Sequence, residues 1–386
     1  MLLIRFTATA SSSCTGQGKA DAVCCGKKRL VKMQKNIKSA FVILLALFAL
    51  LVILAAFFGA LKHLSEAEPI SFVLGALSFV ASIIVWLASW AMLIKEGQFS
   101  KKILTGFSCV FASLTPVQVG ADAMRSLRMK KLFAVPYRET LAASMAVKGM
   151  KFLLIALVAS ASFFLAMLNP GIEPWLKLTL LSGFAVVATA AALFLLPLSR
   201  RIGSRIAYFF EWLSHYLRQA KRLGAKRFFP RLFALSKRLS GYFEHYSLYM
   251  REIPASKLAL VALLALASIA FEFLAFAFCF ASVNASIPLY SMVVLFSILA
   301  ILEHVPFLPR GIGVVEIFGI LFLSLESISA GSLSMPQVVA IIILFDFMRL
   351  VIPALLSLAA YCALSKKAGK AGNDSRWPAL PKHGNG

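Results

Sequence analysis

Apolar residues in this chain run in long uninterrupted blocks, separated by short polar or basic stretches. A helix of roughly 20 apolar residues crosses the ~30 Å hydrocarbon core of a bilayer. Six blocks reach that length, at 39–61, 70–94, 139–167, 175–198, 257–282 and 337–361, and each predicts a full crossing. Two further apolar stretches are interrupted near their middles. The first, 103–131, contains Pro116 and Gly120; the second, 288–325, breaks between Pro306 and Gly313. Proline lacks an amide donor and clashes with the preceding turn, so each stretch is predicted to form two half-helices.

Charge assigns the sides. Of the 40 lysines and arginines, 34 fall in 1–38, 95–102, 125–138, 200–257 and 366–386. The intervening loops carry only Lys62 and Lys177, beside Glu66, Glu68, Glu173 and Glu326. An excess of Lys and Arg marks cytoplasmic loops, which predicts a multi-pass protein of the cytoplasmic membrane with both termini inside. Basic residues flank 103–131 at both ends, so that stretch must enter and return on the inner side. By parity 288–325 leaves and returns on the outer side. The fold class predicted is all-α: a polytopic membrane helix bundle with about six full spans and two re-entrant helical hairpins. Hairpins opening to opposite faces suggest inverted repeats, which in transporters place binding sites near the bilayer midplane.

Composition agrees. The chain is 60% apolar with a mean hydropathy of +0.85, which excludes a soluble domain. The net charge of +24 is accounted for by topology, so no nucleic-acid partner is expected. The six cysteines show no metal-ligand spacing, and no metal or cofactor is expected. Residues 1–38 read as a basic disordered tail, in which Met33 begins a conventional basic leader, "MQKNIKSAF". The transmembrane domain covers 39–361 and a cytoplasmic tail 362–386. Within the domain, 200–257 alternates apolar and basic residues at helical spacing and reads as two amphipathic helices on the inner leaflet.

Ionisable groups at membrane depth are costly and mark function by default. Asp346 and Arg349, three residues apart, share one face of the last span. Glu272, Lys148 and Lys151 lie inside other spans, and the interrupted stretches contribute Asp122, Arg125, Glu303, His304, Arg310 and Glu316. Gly311 and Gly313 permit a sharp bend, after which a helix starting near Val314 would aim its positive N-terminal end, beside Arg310, at an anionic group.

The segments "LTPVQVGADAMR" (114–125), "LPRGIGVVE" (308–316) and "FDFMR" (345–349) resemble, in order and separation, the lysylphosphatidylglycerol synthase transmembrane-region proteins, also called flippase-like integral membrane proteins. Where that family often carries glycine followed by glutamate, this chain has Gly120, Ala121 and Asp122. The resemblance, over roughly 39–361, implies a lipid-handling membrane protein. In the best-known members this region moves aminoacylated phospholipid between leaflets ahead of a soluble aminoacyl-transferase domain; stand-alone relatives are associated with polyprenyl-linked sugars and hopanoid-type lipids. The short tail after the last span leaves no room for a transferase, so the translocating part alone is expected, with membrane lipids and a separate lipid-modifying enzyme as its partners.

Three functions are compatible with these residues. A lipid translocator would hold a headgroup phosphate with Arg310, Arg125 and Arg349, while Glu316, Glu303 and Asp122 pair with those arginines in the empty site or bind a cationic headgroup. A membrane-embedded transferase would use Glu303 and His304, beside a helix N-terminus, as base and anion site. A scaffold would recruit a soluble partner through 200–257. No nucleophile–base spacing and no P-loop supports enzymatic or ATP-driven chemistry, so the translocator is the expected reading and no catalytic residue is assigned.

Overall fold

The computed structural model describes residues 55–114, 119–196, 244–304, 309–329 and 333–373, with isolated positions at 49, 53 and between 204 and 216. The expected basic tail at 1–38, most of the first span at 39–61, Pro116, Pro306, most of 200–257 and the tail beyond 373 lie outside the described residues. Two compact units divide at Ala49 and Leu50, and the helices named below all belong to the second.

All regular structure among the described residues is helical. The helices are α1 (Pro69–Leu93), α2 (Phe99–Phe107), α3 (Val119–Phe133), α4 (Tyr137–Leu168), α5 (Pro174–Leu195), α6 (Ala255–Ser282), α7 (Leu289–Glu303), α8 (Val314–Leu323), α9 (Met335–Asp346) and α10 (Ile352–Asn373). Helices α9 and α10 are joined by one π-helical turn, Phe347–Val351. Prolines set the starts: Pro69 and Pro174 open α1 and α5, Pro336 sits in the first turn of α9, and Pro136, Pro254 and Pro288 immediately precede α4, α6 and α7. A helix's first amide has no internal acceptor, so proline costs nothing there and its fixed φ starts the turn.

Five helices are long and apolar enough to span a membrane: Pro69–Leu93, Tyr137–Leu168, Pro174–Leu195, Ala255–Ser282 and the continuous Met335–Leu364. Their outward faces stay apolar, with Leu77, Leu157, Leu178, Val186 and Leu263 all exposed, as lipid contact requires. Small residues draw the helices together. Ser82 on α1 bonds Ser268 on α6 at 3.0 Å, Ser162 on α4 meets Ser297 on α7 at 2.6 Å, and Gly149 on α4 lies against Phe194 and Leu195. The run Val338–Asp346 of α9 is wholly buried, so this last span forms the bundle's axis.

Helices α7 and α8, of 15 and 10 residues, pack on each other. At ~1.5 Å per residue neither reaches across ~30 Å alone. The stretch expected at 103–131 is likewise divided, into α2, a 3₁₀ turn at Val110–Leu114, and α3. This turn packs against a second 3₁₀ turn at Pro309–Gly311, which precedes α8, so the two interruptions meet.

One end of the bundle is tied by side chains that donate to helix-terminal carbonyls, which have no partner within their own helix. Lys102, buried, donates to Ile94 O at 2.6 Å and Ala91 O at 3.4 Å, while the Tyr249 hydroxyl donates to Leu93 O at 2.6 Å. Tyr246 does the same for Phe194 O at the end of α5, at 2.9 Å. Trp90 Nε1 reaches Thr140 O at 3.3 Å, and Lys95 pairs with Glu252. The segments flanking 95–102, 136–140 and 244–252 therefore share one end. At the other, Glu68 N donates to Ser282 O at 2.7 Å, joining the start of α1 to the end of α6. Lys102→Met is expected to lower stability by about 1.5–3 kcal/mol, the worth of a charge-assisted bond to a buried acceptor. Thermal unfolding in detergent measures it, and Lys101→Met, on the exposed side, is the control.

Candidate functional site

Where the two interruptions meet, the bundle lines a partly open cavity of about 110 Å³, enough for several waters or one small anionic group. Seven parts of the chain supply its walls: Trp86 from α1, Val110 and Ser113 from the first 3₁₀ turn, Asp122 and Arg125 from α3, Lys148 and Lys151 from α4, Glu272 from α6, Glu303 and His304 from the end of α7, and Arg310 from the second turn. Asp122 and Arg125 lie one turn apart on α3, as do Lys148 and Lys151 on α4, so each pair presents from one helix face.

Every carboxylate in the cavity wall has a cation. Arg125 Nη2 lies 3.3 Å from Asp122 Oδ1, and Lys148 pairs with the other oxygen of the same carboxylate. Lys151 binds Glu272 at 2.7 Å, with Ser82 donating to that oxygen at 3.0 Å. Arg310 holds Glu303 through Nη2 at 2.9 Å and Nε at 3.0 Å. His304 Nδ1 donates to Ala300 O at 2.7 Å, and its ring meets Phe152 edge-on. Four cations thus face three carboxylates, and the surplus cation is at Asp122, which two of them share.

Arg125 is 1% exposed. Its guanidinium lies over Trp86, 4.6 Å from the ring centroid, and 5.2 Å from that of Trp90. These faces hold the cation by cation–π attraction but accept no N–H. Arg125 Nε and Nη1 and Trp86 Nε1 are all buried without a hydrogen-bond partner among the described residues. Unmet buried donors are costly, and three of them beside a surplus cation form the arrangement an anionic oxygen would satisfy.

A second charged cluster stands behind Arg310. Arg349 binds Asp346 at 2.5 Å and Glu316 at 3.5 Å, and Asp346 and Arg349 are fully buried. Proline explains the connection to the cavity. Pro353 has no N–H, so the carbonyl four residues back, on Arg349, lacks its helical donor, and the helix relaxes into the π turn. Arg310 Nη1 donates to that carbonyl at 2.8 Å, while Arg349 Nη1 donates to Arg310 O at 2.9 Å. Arg310 itself takes φ 50° and Gly311 φ 70°. A Cβ on Gly311 would stand 2.7 Å from Leu302 O and 2.9 Å from Glu303 Cα, so only glycine lets the turn lie this close to α7.

Of the residues singled out in the sequence, Asp122, Arg125, Glu303, His304 and Arg310 line the cavity, whereas Glu316, Asp346 and Arg349 form the cluster behind it. Gly311 and Gly313 shape the backbone between them. At the start of α8, Glu316 accepts the Gly313 N–H at 2.5 Å and brings its own negative charge to that helix end, so one of the amides there is already engaged. Buried donors without a partner among the described residues lie on the Arg125 side. Lys148, Lys151 and Glu272 are cavity residues that the sequence marked only as buried charges, and nothing in the sequence marked Trp86.

The family model of the lysylphosphatidylglycerol synthase TM region matches residues 39–357. Comparison with curated proteins returns no match.

Arg310→Ala removes the partner of a buried carboxylate and the donor to the Arg349 carbonyl, and is expected to cost about 3–5 kcal/mol. Arg310→Lys keeps the charge but cannot fork to both acceptors and should lose about 1–2 kcal/mol. Adding Glu303→Gln should recover part of the loss in Arg310→Ala but none in Arg310→Lys, as a double-mutant cycle on thermal unfolding would read.

Proposed function

Because the chain belongs to the lysylphosphatidylglycerol synthase transmembrane-region family, we propose that it is a lipid translocator that carries a phosphate-bearing headgroup between leaflets of the bacterial cytoplasmic membrane. The headgroup enters the cavity where the two interrupted segments meet, and its acyl chains stay in the bilayer. Arg125 and Lys148, with the Trp86 N–H, bind the phosphate. Lys151 and Arg310 widen the cationic wall, and alternation is a rocking of the two halves about this point. In this reading the pairs α2/α3 and α7/α8 are re-entrant hairpins of inverted topology, and the tied end of the bundle, rich in Lys and Arg, faces the cytoplasm together with both termini. A separate enzyme modifies the lipid.

The observation that carries the proposal is the surplus cation beside buried, unpartnered donors. A wall in which every charge were matched would reject an anion, because desolvation would have no return. The transferase reading is weaker. Glu303 is held by two bonds from Arg310, and a carboxylate stabilised in its charged form is a poor general base.

In proteoliposomes holding labelled phosphatidylglycerol, the purified chain should equilibrate label across the leaflets. Arg125→Gln should slow this by about 10–100-fold, the equivalent of one charge-assisted contact, and keep its fold because Lys148 still pairs Asp122. Absence of equilibration by the wild-type chain overturns the proposal, and conversion of the headgroup in the same vesicles installs the transferase in its place.

A further inference from the structure

We propose that Asp346 and Glu316 form a proton-binding site whose occupancy is linked to anion binding in the cavity; the inference rests on the phosphate reading above. The charge inventory carries it. The cavity wall holds four cations and three carboxylates, whereas the cluster behind it holds one cation, Arg349, for two carboxylates. In the empty protein the surplus cation on one side offsets the surplus carboxylate on the other. The Arg310–Arg349 exchange of side-chain and backbone bonds joins the two. A singly charged phosphodiester consumes the cavity's surplus. A buried carboxylate then remains without a counter-charge, which is severely unfavourable in a membrane interior. One proton removes it.

The cluster is built to receive that proton. Asp346 Oδ2 is buried and has no hydrogen-bond partner among the described residues, and Asp346 and Glu316 share a single guanidinium nitrogen, Arg349 Nη2. A proton placed on either acid converts two repelling acceptors into a donor and an acceptor. The groups facing the Asp346–Arg349 pair from its neighbours are Glu316 on α8, Arg310 on the turn, Glu303 at the end of α7 and Cys279 on α6. Helix α1 contains no ionisable side chain, and the short helix Leu61–Ser65, also packed on α9, carries Lys62 and His63. Among the described residues none of these places a second cation in an ion pair with Asp346 or Glu316.

Isothermal titration of the full chain in detergent with short-chain phosphatidylglycerol, in buffers of different ionisation enthalpy, counts the protons. The expected result is uptake of about one proton per lipid, with affinity falling by up to about tenfold per pH unit as pH rises. Asp346→Asn, which mimics the protonated acid, should bind with an affinity that no longer depends on pH and with no uptake; Glu316→Gln should do the same. Binding by the wild-type chain without uptake overturns the linkage and leaves the phosphate reading standing. Uptake that survives Asp346→Asn and vanishes in His304→Gln also overturns it, by putting the proton on the cavity histidine. No binding at any pH removes the phosphate reading, and this inference with it.

Discussion

One missing amide organises the centre of this protein. Pro353 cannot supply the N–H that the Arg349 carbonyl requires, and in lipid no water replaces it. Arg310 fills the vacancy, and Arg349 returns a bond to the Arg310 carbonyl. The exchange anchors the turn Pro309–Gly311 to the most buried span and fixes the direction of Arg310 toward Glu303. That turn packs against the 3₁₀ turn Val110–Leu114, and the cavity lies where the two meet.

Around this point the bundle contains charges that lipid would otherwise exclude. Five cations and five carboxylates lie in the cavity wall and the cluster behind it, balanced over the whole but not within either part. That local imbalance distinguishes the arrangement from a set of structural ion pairs. Matched pairs specify a conformation; a mismatch leaves capacity for a ligand. The tryptophan faces around Arg125 serve the same end, retaining the guanidinium by its π-contacts while leaving its N–H groups unspent.

Much of the fold was legible because lipid imposes a simple rule of length and hydropathy. The expected spans at 70–94, 139–167, 175–198 and 257–282 end within a few residues of α1, α4, α5 and α6. Each helix begins at or just after a proline that the sequence displays openly. The Asp346–Arg349 pair followed from helical spacing alone. What could not be read depends on distant contacts. No local pattern says that Glu316 turns back on the Gly313 amide at the start of α8. The convergence of Lys148, Lys151 and Glu272 on one cavity requires knowing which faces of α4 and α6 meet. Pro353 stands in plain view, four residues beyond Arg349, but its donorless partner becomes meaningful only when Arg310 arrives from 39 residues away.

The tyrosine and lysine ties at one end of the bundle have a mechanical corollary. Residues 244–252 reach both α1, through Tyr249, and α5, through Tyr246, and so lash together two helix pairs, α1 with α6 and α4 with α5. At the far end the bond from Glu68 to Ser282 stays inside one pair. Between these ends Lys151 on α4 grips Glu272 on α6 at 2.7 Å, so the two pairs are stitched at mid-depth as well, and parting them would cost a buried ion pair besides the tyrosine bonds.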